Sequence, residues 1–170
     1  MPEDLLKSLG HTTLGSRLKR LGERLQAQTH DLMRDLDGPL PAVPHNPVLA
    51  ALDRHGPMRV GDLAAALGQS QPGITRIVTA LKKDGLVAVR RGSDDKRVST
   101  VALTKKGAAL TGQLKARHWP AVDEAVRGAC ASLSGPLLDQ LAQLEDALAE
   151  MPLKDRVPAR SRSNNGGGTA

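Results

Sequence analysis

Leucines mark both ends of this chain at helical spacing. Along residues 12–36 they recur every three or four positions, with Arg, Lys, Glu and Gln between them, which predicts a long amphipathic helix. Residues 135–151 repeat the pattern and predict a final helix, with a seam of Leu137, Leu141, Leu144, Leu148 and Met151. Two such seams offer more apolar surface than a small domain needs to cover. We therefore expect them to pair with a second copy of the chain; packing within one chain is the alternative.

Shorter elements follow the first long helix. The prolines of residues 38–47 predict a connector, because proline removes a hydrogen-bond donor and blocks helix continuation. A short helix comes next, with Asn46 as its expected N-cap, and it ends at Gly56. Residues 57–60 are too few for more than a small strand or an extended link.

Two helices and a hairpin make up the centre of the chain. The helices are predicted over 61–67 and 71–84, closed by Gly68 and Gly85. Two strands, 87–91 and 98–103, are joined by the turn-forming sequence GSDDK.

The chain returns to helix from Thr104 to about residue 130, with an interruption at Pro120. This order of elements predicts a mainly α fold with a small β wing, that is, a winged helix-turn-helix flanked by long terminal helices. We divide the chain into four parts. Residues 1–44 form an N-terminal dimerisation helix and linker, and residues 45–106 form a DNA-binding domain. Residues 107–151 form C-terminal dimerisation helices, and residues 152–170 form a disordered basic tail.

The second helix of the central pair has two contrasting faces. An apolar stripe of Ile74, Ile77, Val78 and Leu81 is expected to point inward. The start of such a helix enters the major groove of DNA. Glutamine pairs with adenine, arginine with guanine or phosphate, and a slim helix start lets backbone N–H groups approach a phosphate. The residues expected to contact DNA here are Ser70, Gln71, Pro72, Gly73, Thr75, Arg76 and Thr79.

The hairpin extends the same surface. Its basic side chains are Arg90, Arg91, Lys96 and Arg97. We expect Arg97 to lie in or beside the minor groove, where a narrow groove concentrates negative potential, and Asp95 to brace its guanidinium.

Charge and composition support a polyanionic partner. Residues 57–106 hold ten basic and four acidic side chains, and this excess of six positive charges equals the net charge of +6 of the whole chain. Such a localised basic segment indicates a polyanionic partner. There is no Phe or Tyr, and Trp119 is the one aromatic besides histidine, which argues against a binder that stacks single-stranded bases. A single cysteine, no leader-like N-terminus and no long apolar run predict a cytoplasmic protein without disulfides.

Residues 63–87 and 94–107 resemble the MarR family of bacterial regulators. The shared pattern consists of Leu63-Ala64, Leu67-Gly68, Ser70, Thr75-Arg76, Val78, Leu81, Gly85-Leu86-Val87, Asp95, Arg97, Leu103-Thr104 and Gly107. Residues 9–25 further resemble a subgroup that is sometimes fused to an acetyltransferase domain. The resemblance implies a homodimer that binds a palindromic operator, with repression as the usual outcome.

The resemblance also implies an effector site. In relatives a small anionic or phenolic ligand often binds between the dimer helices and the winged domain. His118 and Trp119 are the candidate ligand pocket here, and core filling is the alternative for both.

Other functions fit the sequence less well. No nucleophile elbow, phosphate-binding loop, dinucleotide fingerprint or metal-ligand spacing is present, so we expect neither an enzyme nor a metal or other cofactor. The remaining alternative is a winged-helix protein-interaction module that does not bind specific DNA.

Overall fold

The computed structural model describes residues 3–36, 41–91 and 99–156. Within these residues the fold is mainly helical, with one two-stranded antiparallel sheet, as the sequence predicts. Its internal contacts divide the chain into two units, Met1–Glu124 and Ala125–Ala170.

The first unit contains a long amphipathic helix near its start. A short helix α1 (Leu5–Ser8) and a 3-10 turn (Gly10–Thr13) precede α2 (Leu14–Asp35). The predicted helix is confirmed, although it starts at Leu14 because the 3-10 turn occupies the preceding residues. Met33 is the one residue of α2 that is fully buried, so most of its leucine seam remains exposed.

The short helix α3 (Asn46–His55) ends at Gly56 as predicted. The φ of this glycine is 74°, a backbone conformation that glycine adopts easily because it has no Cβ. The prediction that Asn46 caps this helix is wrong. A 3-10 turn (Val43–His45) runs directly into α3, so His45 takes the cap position and Asn46 is already helical. The Asn46 amide nitrogen instead lies 3.6 Å from the sulfur of Met33.

The central helices and the hairpin form the winged helix-turn-helix. Helices α4 (Val60–Ala66) and α5 (Gln71–Lys83) are followed by strands β1 (Val87–Arg91) and β2 (Ser99–Leu103). The strands pair antiparallel, with Val87 opposite Leu103 and Arg91 opposite Ser99.

The link between α3 and α4 is extended as expected, except that Val60 already begins α4, and Met58 forms a β-bridge with Val101. The Met58 N–H donates to the Val101 carbonyl at 3.0 Å, and the Val101 N–H donates back at 2.7 Å. This bridge attaches the link to the base of the wing.

The hydrophobic core of this unit is built from Ala, Leu, Ile, Val and Met side chains. Leucine, isoleucine, valine and methionine side chains from α2 to the turn after α6 make one cluster, and each fully buried side chain contributes about 1.5–3 kcal/mol of hydrophobic free energy. Its buried members are Met33, Val48, Leu49, Leu52, Leu63, Ala64, Ile74, Val78, Leu81, Leu86, Val87, Val101, Leu110 and Leu114.

The helix after the wing changes its winding before Pro120. Helix α6 (Lys105–Gln113) passes into a π turn (Leu114–His118), and α7 (Trp119–Cys130) follows. The predicted interruption is thus present, one turn earlier than the proline itself. Pro120 has no N–H to donate to the carbonyl of residue 116, and its ring would crowd that carbonyl in a regular α-helix. A π turn is one way for a helix to accommodate this missing hydrogen bond.

The second unit, which takes in the end of α7, contains α8 (Leu137–Glu150) and a 3-10 turn (Leu153–Asp155). Helix α8 starts after Gly135, whose φ of 86° turns the chain before Pro136. Leu138 on this helix is 79% exposed. The tail predicted to be disordered lies outside the described residues from position 157 onward.

One junction ties the end of α5 to the start of α6. Three consecutive carbonyls accept hydrogen bonds: Asp84 from the Lys106 ammonium at 2.8 Å, Gly85 from the Thr104 hydroxyl at 2.7 Å, and Leu86 from the Thr104 N–H at 3.0 Å. The Thr104 hydroxyl also accepts from the Gly107 N–H at 3.0 Å and so caps α6. We call these residues the α5–α6 staple.

Replacing Gly107 with alanine should destabilise the protein severely. A Cβ there would overlap the carbonyl oxygen of Leu86, a backbone atom that cannot rotate away. We expect a loss of about 3 kcal/mol or more in the free energy of unfolding, measured by urea denaturation. Gly112→Ala on the same helix is the control: its Cβ meets nothing within 4 Å, so it should be neutral or stabilising by up to about 1 kcal/mol. Equal stabilities of the two variants would contradict the close approach.

Candidate nucleic-acid interface

Helix α5 separates an apolar face from a polar one. Ile74, Val78 and Leu81 are buried and Ile77 is half-buried, which confirms the predicted inward stripe. The opposite face is exposed to solvent and carries Gln71, Pro72, Thr75, Arg76, Thr79, Lys82 and Lys83. The burial of one face therefore fixes which side chains of α5 reach outward.

The first turn of α5 is capped by a side chain. Ser70 precedes the helix in extended conformation, and its hydroxyl accepts a hydrogen bond from the Gly73 N–H at 3.3 Å. Ser70, which the sequence predicts to contact DNA, is therefore also the N-cap of α5, and a serine directly before a helix is a signal for that role. Since Pro72 has no N–H and that of Gly73 is engaged, fewer backbone donors are free for a phosphate than the sequence suggested.

Two threonines on the outer face have their hydroxyl hydrogens committed. Thr75 donates to the Gln71 carbonyl and Thr79 to the Thr75 carbonyl, both at 2.8 Å. Each hydroxyl oxygen thus keeps its lone pairs free, and each side chain keeps an outward methyl group. In this state both side chains present acceptors and apolar contacts to a ligand.

The long side chains of the same face are held differently. The Arg76 Nε donates to the Pro72 carbonyl at 3.4 Å, which leaves the two terminal nitrogens of its guanidinium available. The Gln71 amide lies against the start of α4, since a Cβ on Gly61 would come within 3.0 Å of its nitrogen. The Gln71 amide nitrogen thus lies beside α4, although the residue as a whole is exposed.

The wing contributes further basic residues at its described end. Arg90 is exposed and lies opposite Thr100 in the sheet. The side chain of Arg91, together with Asp95, Lys96 and Arg97, lies outside the described part of the chain, so their expected roles stay predictions.

A polar group is buried where α2, α3 and α7 begin or end. His118 is 2% exposed, and its Nε2 lies 3.2 Å from the Leu36 carbonyl. Within the described residues, four buried polar atoms have no hydrogen-bond partner: Nδ1 of His45, Oδ1 of Asn46, Nδ1 of His118 and Nε1 of Trp119. Burial lowers the pKa of His45, and the negative charge of Asp84 opposes that shift. We call these four residues the buried polar cluster.

In residues 3–36, 41–91 and 99–156, no group of three or more His, Cys, Asp or Glu side chains is arranged to hold a metal ion. No helix in the same part of the chain is both long enough and apolar enough to cross a membrane.

Replacing Ser70 with alanine should weaken the start of α5. The Gly73 N–H then loses its partner, and we expect the free energy of unfolding to fall by about 1 kcal/mol in urea denaturation. Ser70→Asp retains an acceptor at the cap and should stay near the stability of the parent protein. A Ser70→Ala variant as stable as Ser70→Asp would show that the cap contributes nothing.

Comparisons with known proteins agree with this architecture. The MarR family model matches residues 42–98. The transcriptional regulator FarR of Neisseria gonorrhoeae is 32% identical over 104 residues, which cover 59% of this chain and 71% of FarR.

Solved structures show the same fold at lower identity. BpsR of Bordetella bronchiseptica, described with the regulation of its DNA binding by 6-hydroxynicotinic acid, is 22% identical with a TM-score of 0.64, covering 89% of this chain and 99% of BpsR. Overoxidised AbfR bound to DNA is 17% identical with a TM-score of 0.62, covering 82% of this chain and 92% of AbfR.

The winged helix-turn-helix, the exposed polar face of α5 and the likeness to FarR lead to one conclusion. The chain belongs to the MarR family of DNA-binding transcriptional regulators, a family of regulators and not of enzymes.

Proposed function

We propose that this regulator is a homodimeric repressor of a palindromic operator. Each subunit places the start of α5 in the major groove and its wing beside the minor groove. The observation that carries the proposal is the outer face of α5, where the polar and basic side chains from Gln71 to Lys83 stand exposed on a helix whose other face is locked into the core.

Electrostatics supports the same surface. The segment 57–106 has six more basic than acidic side chains, and Arg76, Lys82, Lys83 and Arg90 are exposed on it. Cations that neutralise phosphates release the counterions of DNA, so binding by this surface depends steeply on salt concentration. A dimer would present its two recognition helices to half-sites about 34 Å apart.

Replacing Arg76 with glutamine should weaken operator binding by about 1–3 kcal/mol per contact, because the guanidinium on the outer face of α5 is lost. The measurement is fluorescence anisotropy with the DNA upstream of the chain's own gene, titrated at several salt concentrations. If Arg76 contacts a phosphate, the affinity should fall equally on all DNA sequences, and the slope of log affinity against log salt concentration should be smaller by about one. If Arg76 contacts a base, the preference for one base position of the operator should be relaxed.

Lys115→Gln is the matched control for this test. It removes the same charge from a side chain that pairs with Asp53 at 3.0 Å in a different part of the unit. Affinity unchanged by Arg76→Gln would contradict the docking mode. No salt-dependent binding by the parent protein to any DNA would favour the protein-interaction module instead.

Exposed leucines on α2 support the dimer. Leu18, Leu21 and Leu25 are 37%, 50% and 39% exposed and lie on one face at helical spacing. Leaving such a stripe in water is unfavourable, and a second copy with the same stripe covers it in a self-complementary two-fold interface.

Replacing Leu25 with glutamate should shift the protein towards monomer. The change loses a buried leucine and adds a charge in each subunit, so the dimer dissociation constant should rise at least about 100-fold in analytical ultracentrifugation. Gln26→Glu, which adds the same charge one position along α2, should leave it nearly unchanged. If the Leu25→Glu variant dimerised as tightly as the parent protein, α2 would not be part of the dimer interface.

The buried polar cluster supports an effector site. Buried polar atoms are normally hydrogen-bonded, and four here have no protein partner. Asn46 and His118 contact Met33 and Leu36 at the end of α2, and Trp119 is the first residue of α7. A small polar ligand that binds better to one arrangement of the helices than to another would shift the population between DNA-binding and released states. His118 and Trp119 are thus the residues proposed to contact it.

Binding of a small organic acid should change the fluorescence of Trp119, the single tryptophan of the chain. We expect 6-hydroxynicotinic acid or benzoate to give a saturable change, accompanied by release from the operator. His118→Gln should abolish the response, whereas His11→Ala, at an exposed histidine, should not. A response of the same size and affinity in His118→Gln would exclude this site.

A further inference from the structure

A strongly basic pocket lies between α1 and α2, and none of its lining residues belongs to the buried polar cluster. It has a volume of about 150 Å³ and is lined by Lys7, Arg17, Arg20, Leu21 and Arg24. Its three arginines follow one another at three- and four-residue steps, so they share one face of α2. Local spacing alone does not distinguish these arginines from other solvated residues of an amphipathic helix, whereas the fold of α1 onto α2 makes them line a pocket.

Two contacts hold this pocket together. The Arg20 guanidinium forms a two-pronged ion pair with the Asp4 carboxylate, at 3.0 and 2.9 Å, and the Thr13 hydroxyl donates to the Leu6 carbonyl at 3.0 Å. The hydrogen bonds from Arg20 are the main cause that lowers the pKa of Asp4. The segment around α1 is thereby fixed across α2, with Lys7 facing the arginines.

The pocket has more positive charge than the protein neutralises. Four cationic side chains line it; Asp4 forms an ion pair with Arg20 alone, although the charge of Lys7 also contributes to lowering the pKa of Asp4. Among the described residues, the side chains of Lys7, Arg17 and Arg24 make no hydrogen bond or ion pair. Like charges at this spacing destabilise a helix, so an anion bound between them would relieve repulsion as well as gain direct contacts.

We propose that this pocket binds a compact dianion, with a small phosphate monoester as the best-fitting chemistry. A phosphate monoester carries a charge of about −1.5 to −2 at neutral pH and three terminal oxygens, which suit three free cations better than a single carboxylate does. The pocket volume of about 150 Å³ is similar to that of protein cavities that bind benzene, so the pocket has room for a substituent of that size. Leu21 and the methylene stems of the arginines give a small apolar substituent a surface to contact.

Isothermal titration calorimetry on the full-length protein without DNA tests this site. The probes are phenyl phosphate, inorganic phosphate and benzoate. We expect phenyl phosphate to bind more tightly than benzoate, with an affinity that falls as sodium chloride is added, because the pocket is open to solvent. Arg17→Gln and Arg24→Gln should each weaken phenyl phosphate binding by about tenfold, the usual scale for one charge-assisted hydrogen bond at a partly exposed site.

Lys19→Gln is the matched control, since Lys19 is an exposed cation on the same helix that does not line the pocket. It should bind phenyl phosphate like the parent protein, and thermal unfolding of all three variants checks that they remain folded. Absent binding by the parent, equal binding of benzoate, or parent-like affinity in Arg17→Gln and Arg24→Gln would each overturn the proposal.

One further outcome would also overturn it. Leu21 belongs both to this pocket and to the exposed stripe of α2, so acidic side chains of a second copy are a competing occupant. In that case Arg24→Gln would raise the dimer dissociation constant in ultracentrifugation, and neither phosphate probe would bind.

Discussion

The α5–α6 staple is the constraint on which the DNA-binding surface depends. A recognition helix is useful only if its orientation relative to the wing is fixed, and the turn after α5 is where that orientation is decided. Here three successive carbonyls, from Asp84 to Leu86, are held by two residues at the start of the next helix. Gly107 allows the start of α6 to approach the Leu86 carbonyl closely enough for this. Residues that lie about 20 positions apart thus set the geometry together.

The staple also gives a physical reason for the sequence pattern of this family. Gly85-Leu86-Val87 and Leu103-Thr104 with Gly107 appear as separate motifs along the chain, yet they are two sides of one contact. Thr104 carries most of it, because its hydroxyl donates to the turn while accepting from its own helix. The aliphatic core then needs only to bury Ile74, Val78 and Leu81 for the outer face of α5 to point at its partner.

The sequence predicted the elements that periodicity and turn residues determine. Both helices of the helix-turn-helix, the two strands and the inward stripe of α5 are confirmed. Contacts between segments that are distant along the chain could not be predicted from the sequence. The Asn46 cap failed because the preceding 3-10 turn was not foreseen, and the π turn before Pro120 depends on how the helix absorbs a missing donor. The basic pocket requires α1 to fold back onto α2, which no local pattern encodes.

The bridge between Met58 and Val101 has a consequence for the behaviour of the protein away from its partner. It closes the outer side of β2 at the base of the wing, so within the described residues β1 is the strand that keeps an open edge along its length. An open edge invites pairing with strands of other molecules, and charged residues discourage it. Arg90 is exposed on that edge. A charge that suits a polyanion therefore also disfavours edge-to-edge pairing of the free protein.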